Sequence, residues 1–227
     1  MKFAFSVLIL GYVLSQFYRA FLAVLSPVLT IDLGATPQIL ATASGYWFLA
    51  FAAMQIPVGA SLDRFGPRLT ASVLLMSAAV GAAIFAMATN AEAIKYAMLL
   101  IGIGCSPVLM AAYFIFARIY SPAVFGTLAG VVIGIGSLGN IAASLPLSFA
   151  VDLIGWRGTL WVLAAVTMLT SLGIFALVQD PAPVAHSRKG SVVDLLRMPA
   201  LWPILLMMAA CYAPAAGLRG LWAGPSL

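Results

Sequence analysis

Charge is what this sequence has least of. Asp, Glu, Lys and Arg together make up 7% of its 227 residues, against roughly 25% in a soluble domain. A water-facing surface cannot be assembled from so few charges, so lipid is the solvent for most of the chain. Long polar stretches are scarce as well: a single one, 179–200, interrupts the apolar runs. Cysteine is limited to Cys105 and Cys211. Both fall inside apolar runs without metal-type spacing, which gives no disulfide or zinc framework and reads as small buried hydrophobes. The one histidine, His186, stands in the polar stretch and reads as solvated. The six acidic residues (Asp32, Asp63, Glu92, Asp152, Asp180, Asp194) lie in loops or at span ends. That leaves no mid-membrane carboxylate to relay a proton. A Ser-His-Asp set, a metal-ligand cluster and a phosphate-cradling loop are also missing, so no enzyme, cofactor or metal is expected.

What fills the sequence is apolar: 64% of residues, with a mean hydropathy of +1.12. The runs are continuous, whereas strands of a membrane barrel alternate over ~10 residues. Helices satisfy their own backbone in lipid, and each crossing needs ~20 apolar residues. Six spans are expected near 5–29, 38–62, 69–88, 94–118, 123–150 and 159–178. Turn chemistry separates them at Asp32-Leu33-Gly34, at 63–67, at 90–92, at Ser121-Pro122 and at 152–158. Met1-Lys2 before an apolar run imitates a secretory signal. The run continues past Arg19 to Leu29, so it is read as a retained helix. After the polar stretch, where Ser191-x-x-Asp194 resembles a capping box, a seventh apolar run covers 201–223. Three units follow: 1–178 as a six-helix bundle, 179–200 as a linker, and 201–227 as the first helix of an incomplete second bundle.

The net charge of +5 and pI near 9.5 do not form a basic patch, which excludes a nucleic-acid partner. The cations instead report topology. Lys2, Arg64, Arg68, Arg118, Arg188, Lys189 and Arg197 fall on one side, Lys95 and Arg157 on the other. Seven against two places the N terminus and the linker in the cytoplasm.

The most specific motif lies between the second and third spans: Gly59-Ala-Ser-Leu-Asp63-Arg64-Phe-Gly66-Pro67-Arg68. Gly59 permits close helix approach, Gly66 a tight turn, and Asp63 can accept from a helix N terminus or pair with an arginine. The motif resembles the loop signature of the major facilitator superfamily, Gly-x-x-x-Asp-Arg-x-Gly-Arg-Arg/Lys, with Pro67 in place of one closing basic residue. Gly155-Trp156-Arg157 is similar to another common segment of that family. The resemblance implies an all-α polytopic inner-membrane (plasma-membrane) protein: a six-helix N-terminal bundle of 3+3 inverted repeats plus a seventh transmembrane helix. It also implies that the motif latches the cytoplasmic side of an alternating-access transporter. Complete members have about twelve helices, so the chain is expected to be a half-transporter, a truncated gene or a fragment. Two departures count against a proton-driven drug exporter. Met98 stands where the family often has an arginine ahead of Gly102 and Gly104, and the fifth span lacks the Gly-Pro pair of drug antiporters, reading Gly139-Asn140 and then Pro146.

Arg19 sits mid-span, where a charge costs at least ~2.5–3.5 kcal/mol. At about 100° per residue, Tyr12, Gln16, Arg19 and Ser26 share one arc, with Ser15 at its edge. That stripe must face a cavity or polar partners. Tyr212 and Arg219 repeat the seven-residue spacing of Tyr12 and Arg19. In the implied fold these helices are related by pseudo-symmetry, which would bring two guanidiniums toward one anion. This is similar to the phosphate and organophosphate exchangers of the superfamily. The plainer reading pairs Arg19 with a helix carbonyl or with a carboxylate elsewhere. Tyr46, Gln55, Tyr113 and Asn140 are further polar groups at or near mid-span and are candidate cavity residues, Tyr113 and Asn140 as solute contacts. Gly126, Gly130 and Gly134, four apart, are expected to pack against a neighbouring helix. The expected partners are the bilayer, a small anionic solute, and a second half-transporter or a homodimer copy. The rival readings are a non-transporting membrane subunit or receptor and an inactive fragment.

Overall fold

The computed structural model describes residues 2–181, 198–199 and 201–217; side chains of residue 2 and of 211–217 are outside that description. The described residues are helical, without strands: α1 (Lys2–Leu33), α2 (Pro37–Ala53), α3 (Gln55–Ala86), α4 (Ala91–Cys105), α5 (Val108–Ile119), α6 (Pro122–Ala142), α7 (Leu145–Leu177) and α8 (Leu201–Gly217). Residues up to Pro181 form one compact unit, and a second begins at Ala182 and contains α8. Among the described residues, five continuous helical runs are long and apolar enough to cross a membrane: Phe3–Leu33, Gln55–Ala86, Ala91–Ile119, Pro122–Ala142 and Leu145–Leu177.

Together with α2, these runs form six passes. In α3 the backbone leaves helical geometry at Gly66 (φ 82°, ψ 164°), and in α7 it does so at Gly155 (φ 73°, ψ 162°). Both lie in a region open essentially to glycine alone. Trp47 packs on Gly102, Gly59 on Met110, and Asp63 pairs with Arg118, so the second pass runs parallel to the fourth. Beyond Gly66 the order inverts: Gly81 meets Ala97 and Ile101, while Ala78 meets Gly104. The chain therefore reverses at Gly66. At Gly155 it does so again, since Gly136 and Gly139 follow Tyr12 and Val13 in parallel, whereas Tyr18 meets Thr167 and Gly11 meets Ile174 in antiparallel order. The expected loops at 63–67 and 152–158 thus shrink to one glycine each, and the third pass starts at Pro67.

Inside the passes, prolines set the breaks. A proline cannot donate to the carbonyl four residues back. Pro57 withholds a bond from Ala53, where α2 ends, and Pro146 from Ala142, where α6 ends. Pro107 separates α4 from α5. Caps close the turns: Asn90 Oδ1 accepts from Ala93 N at 2.9 Å, and Thr36 Oγ1 from Ile39 N at 3.3 Å.

The core runs through α1, the third pass and α4, with Tyr18, Phe21, Leu25, Leu75, Phe85, Ile94 and Ile101 fully buried. Glycine lets the helices close on one another: a Cβ on Gly102 would strike the Trp47 backbone, and one on Gly104 would strike Ala78. Among the described residues nothing lies within 4 Å of a Cβ at Gly126, Gly130 or Gly134, whereas Gly136 and Gly139 are pressed against α1. The outer surface is apolar, with Leu49, Phe149, Leu153 and Leu169 exposed, as a lipid-facing wall requires.

Candidate functional site

The polar stripe of α1 is turned into the bundle. Tyr12 packs on Gly136 and the Cβ of Gln16 lies against Gly139, so α6 covers this part of the stripe. Gln16 Nε2 donates to the Tyr12 hydroxyl at 3.2 Å, and both residues are buried. Gln16 Oε1 is buried without a hydrogen-bond partner among the described residues. Ser15, at the edge of the arc, donates to Cys105 O at 3.4 Å and closes the stripe against α4.

Arg19, one turn further on and half-buried, meets α2. Its guanidinium carbon lies 5.2 Å from the ring centre of Trp47 and 5.5 Å from that of Phe51. Those rings stack on each other at 5.1 Å with an interplanar angle of 14°. Four residues apart, they share one face of α2. A cation over desolvated aromatic faces gains about 2 kcal/mol, comparable with the lower insertion cost estimated for a mid-span arginine. Sequence reasoning passed over Trp47 and Phe51. The available signal was a tryptophan and a phenylalanine one turn apart inside a span, away from the interfaces that tryptophan usually marks. Trp47 Nε1 is buried without a hydrogen-bond partner among the described residues, and the Cys105 thiol is a polar neighbour.

The other predicted site residues scatter. Asn140 follows Gly139 and is half-buried at the level of Gln16. Tyr113 packs edge-on against Phe125 at 5.7 Å, between α5 and α6. The side chain of Tyr212 and the whole of Arg219 lie outside the described residues. Two cavities, of about 250 and 190 Å³, are lined by other residues: one by Phe5, Leu8, Ile119 and Asp180 among others, the other by Ser72, Val73, Met76, Ser171, Leu172 and Phe175.

The glycine-aspartate-arginine motif gathers at one end of the bundle. Asp63 pairs with Arg118 at 3.9 Å, and Arg118 lies over the Phe114 ring at 4.1 Å. Arg64 lies over Phe65 at 5.2 Å. Arg68 N donates to Asp180 Oδ1 at 2.9 Å, and Arg68 Nε donates to Phe175 O at 2.6 Å. Asp180 therefore caps the N terminus of the third pass, where the dipole favours a carboxylate. Because Pro67 has no N–H, the first donor available to that carboxylate is Arg68 N. Gly59 sits 3.8 Å from the Met110 methyl, measured from where a Cβ would stand.

The sequence pattern described as Major Facilitator Superfamily matches residues 8–221. The chain belongs to that superfamily. It is a membrane protein of a transporter family, with the all-helical architecture expected of it. The chain is also similar to the nitrate/nitrite transporter NrtP of Nostoc punctiforme (strain ATCC 29133 / PCC 73102), with 26% identity over 160 residues. That alignment covers 66% of this chain and 32% of the relative, so the chain spans about a third of that protein's length. Within the superfamily signature, Pro67 is the departure. Its place at the head of the third pass suits it, since a first-turn proline has no bond to lose.

Proposed function

We propose that this chain forms the N-terminal part of a transporter for a small anion, with Arg19 as the group that binds the solute. The observation that carries this reading is the Arg19 guanidinium held inside the bundle on Trp47 and Phe51, one turn from the buried, incompletely bonded amide of Gln16. An amide and a tyrosine hydroxyl beside a guanidinium make a donor set suited to an oxyanion. Turning the Gln16 amide over lets Tyr12 donate to Oε1 and frees Nε2 for the solute. The named activity of the Nostoc relative, nitrate and nitrite transport, supports a small planar oxyanion.

In this reading Tyr12, Gln16 and Arg19 bind the anion, with Asn140 and Tyr113 as further contacts. Tyr212 and Arg219 provide the matching pair from the second bundle. Residues 1–178 are the first bundle, 179–200 the cytoplasmic linker, and 201–227 the opening of the second bundle. The bundle rocks against its counterpart in alternating access. Asp63 with Arg118, and Arg64, Gly66 and Arg68 beside them, form the cytoplasmic latch. The inner-membrane orientation follows from the cation bias, with Arg64, Arg68 and Arg118 at one end and Lys95 and Arg157 at the other.

Isothermal titration of the purified chain with sodium nitrate, nitrite and phosphate tests the reading. Saturable binding that Arg19→Gln removes is the expected result. Equal binding by the variant, with its fold intact, overturns it.

A further inference from the structure

Trp47 carries three features that packing alone does not call for. Its ring lies under the Arg19 guanidinium, its other stacking partner is Phe51, and its backbone is seated where the absence of a side chain on Gly102 makes room. The residue is 1% exposed, so the support is fixed on all sides. Arginine is long and rich in rotamers, and ordering it on binding is costly. A guanidinium already held on an aromatic shelf loses less freedom when an anion arrives. A ring beneath the guanidinium contacts its face and not its rim of N–H donors, and takes up part of the charge.

We infer that Trp47 is a positioning residue for Arg19: with Phe51 as brace and Gly102 as seat, it holds the guanidinium ready for the anion. This rests on the anion-site reading of Arg19. The inference concerns the aromatic face of Trp47, so it distinguishes ring from bulk. Trp47→Phe keeps a face under the guanidinium, whereas Trp47→Leu keeps only apolar volume.

The test uses the full chain in detergent, titrated with sodium nitrate by calorimetry, alongside near-ultraviolet circular dichroism without nitrate. Trp47→Leu is expected to weaken nitrate binding about tenfold, the equivalent of roughly 1.4 kcal/mol. Trp47→Phe stays within about threefold of the unaltered chain. Phe51→Leu, which leaves Trp47 in place, lies between them and serves if Trp47→Leu does not fold. Arg19→Gln changes the tryptophan dichroism where Trp47 is present, and the change disappears in a Trp47→Phe background. A purely structural tryptophan would lower the unfolding temperature in both Trp47 variants without separating their affinities. Unchanged affinity in Trp47→Leu or in Phe51→Leu overturns the inference, and so does a Trp47→Phe variant as weak as Trp47→Leu. If Arg19→Gln binds nitrate normally, the anion site itself falls. If Arg19→Gln fails while Trp47→Leu binds normally, only the positioning role falls.

Discussion

Arg68 and Arg157 stand at opposite ends of one antiparallel helix pair, and each holds the closing carbonyls of the other's helix. Arg68 Nε donates to Phe175 O at 2.6 Å, at the end of the sixth pass. Arg157 donates through a terminal nitrogen to Ala88 O at 3.1 Å, just past the third. Around each arginine the sequence has the same frame, Asp63-x-x-Gly66-x-Arg68 and Asp152-x-x-Gly155-x-Arg157, with the positive-φ glycine at the same place. Each arginine also covers an aromatic ring, Phe175 at 4.5 Å and Trp156 at 4.1 Å. Passes one to three and four to six are thus related as inverted repeats of one unit. The carboxylates differ: Asp180 caps Arg68 N, whereas Asp32, at the end of α1, accepts from Trp156 Nε1 at 2.7 Å and pairs with Arg157 at 3.7 Å.

The two turn glycines are conformationally alike but differently crowded, which separates their alanine variants. A side chain at either position costs about 1–3 kcal/mol in backbone strain. At Gly66 the new Cβ would also stand 2.5 Å from Asp180 Oδ1, while at Gly155 nothing among the described residues lies within 4 Å. Gly66→Ala is therefore expected to be the more damaging in thermal unfolding in detergent. Equal losses would mean that Asp180 yields without cost.

Removing Asp32 should loosen the opposite end. Asp32→Ala leaves Trp156 Nε1 without its acceptor and Arg157 without its ion pair. The pair is partly exposed, so the expected loss is about 1–2 kcal/mol. Asp32→Asn retains an acceptor for the indole and should recover most of it. Unfolding monitored by tryptophan fluorescence checks the order of the two variants.

How much of this was legible beforehand depends on whether a feature is local. The six passes, the turns and the motif were readable because hydropathy, caps and glycine chemistry act within a few residues. Pro57, Pro107 and Pro146 act just as locally, each withholding an N–H from the carbonyl four residues back. The turning of the Arg19 stripe inward followed from the cost of a charge in lipid. Its partners did not, because Trp47 and Phe51 reach it from another pass and nothing in α1 encodes that distance. The glycine stripe of α6 shows the limit most plainly. The spacing of Gly126, Gly130 and Gly134 permits close packing, but spacing alone does not name the neighbour, and none stands there among the described residues.

That contrast yields a paired prediction. Gly130→Ala gains helix propensity, up to about 1 kcal/mol, and meets no neighbouring element within 4 Å among the described residues. Gly139→Ala would drive a methyl into Val13 O and the Gln16 side chain. Unfolding of the isolated chain should leave Gly130→Ala unchanged or slightly more stable and Gly139→Ala clearly less so. Destabilisation by Gly130→Ala would mean that α6 has a partner on its open face.

The buried hydroxyl pair between the first and sixth passes tests which way its hydrogen bonds run. Thr167 Oγ1 lies 2.7 Å from Leu163 O and donates to it, so at the 2.9 Å contact with Tyr18 it is the tyrosine that donates. Both residues are fully buried. Thr167→Val keeps the shape but strands the tyrosine hydroxyl in a dry interior, at about 1–3 kcal/mol. Tyr18→Phe removes the donor and leaves Thr167 satisfied by Leu163, so its cost should be about 0.5–1.5 kcal/mol. The double variant has no stranded group and should be more stable than Thr167→Val alone, a coupling that a double-mutant cycle measures directly. A larger loss from Tyr18→Phe than from Thr167→Val would reverse the assigned donor and show that the threonine, not the tyrosine, depends on this contact.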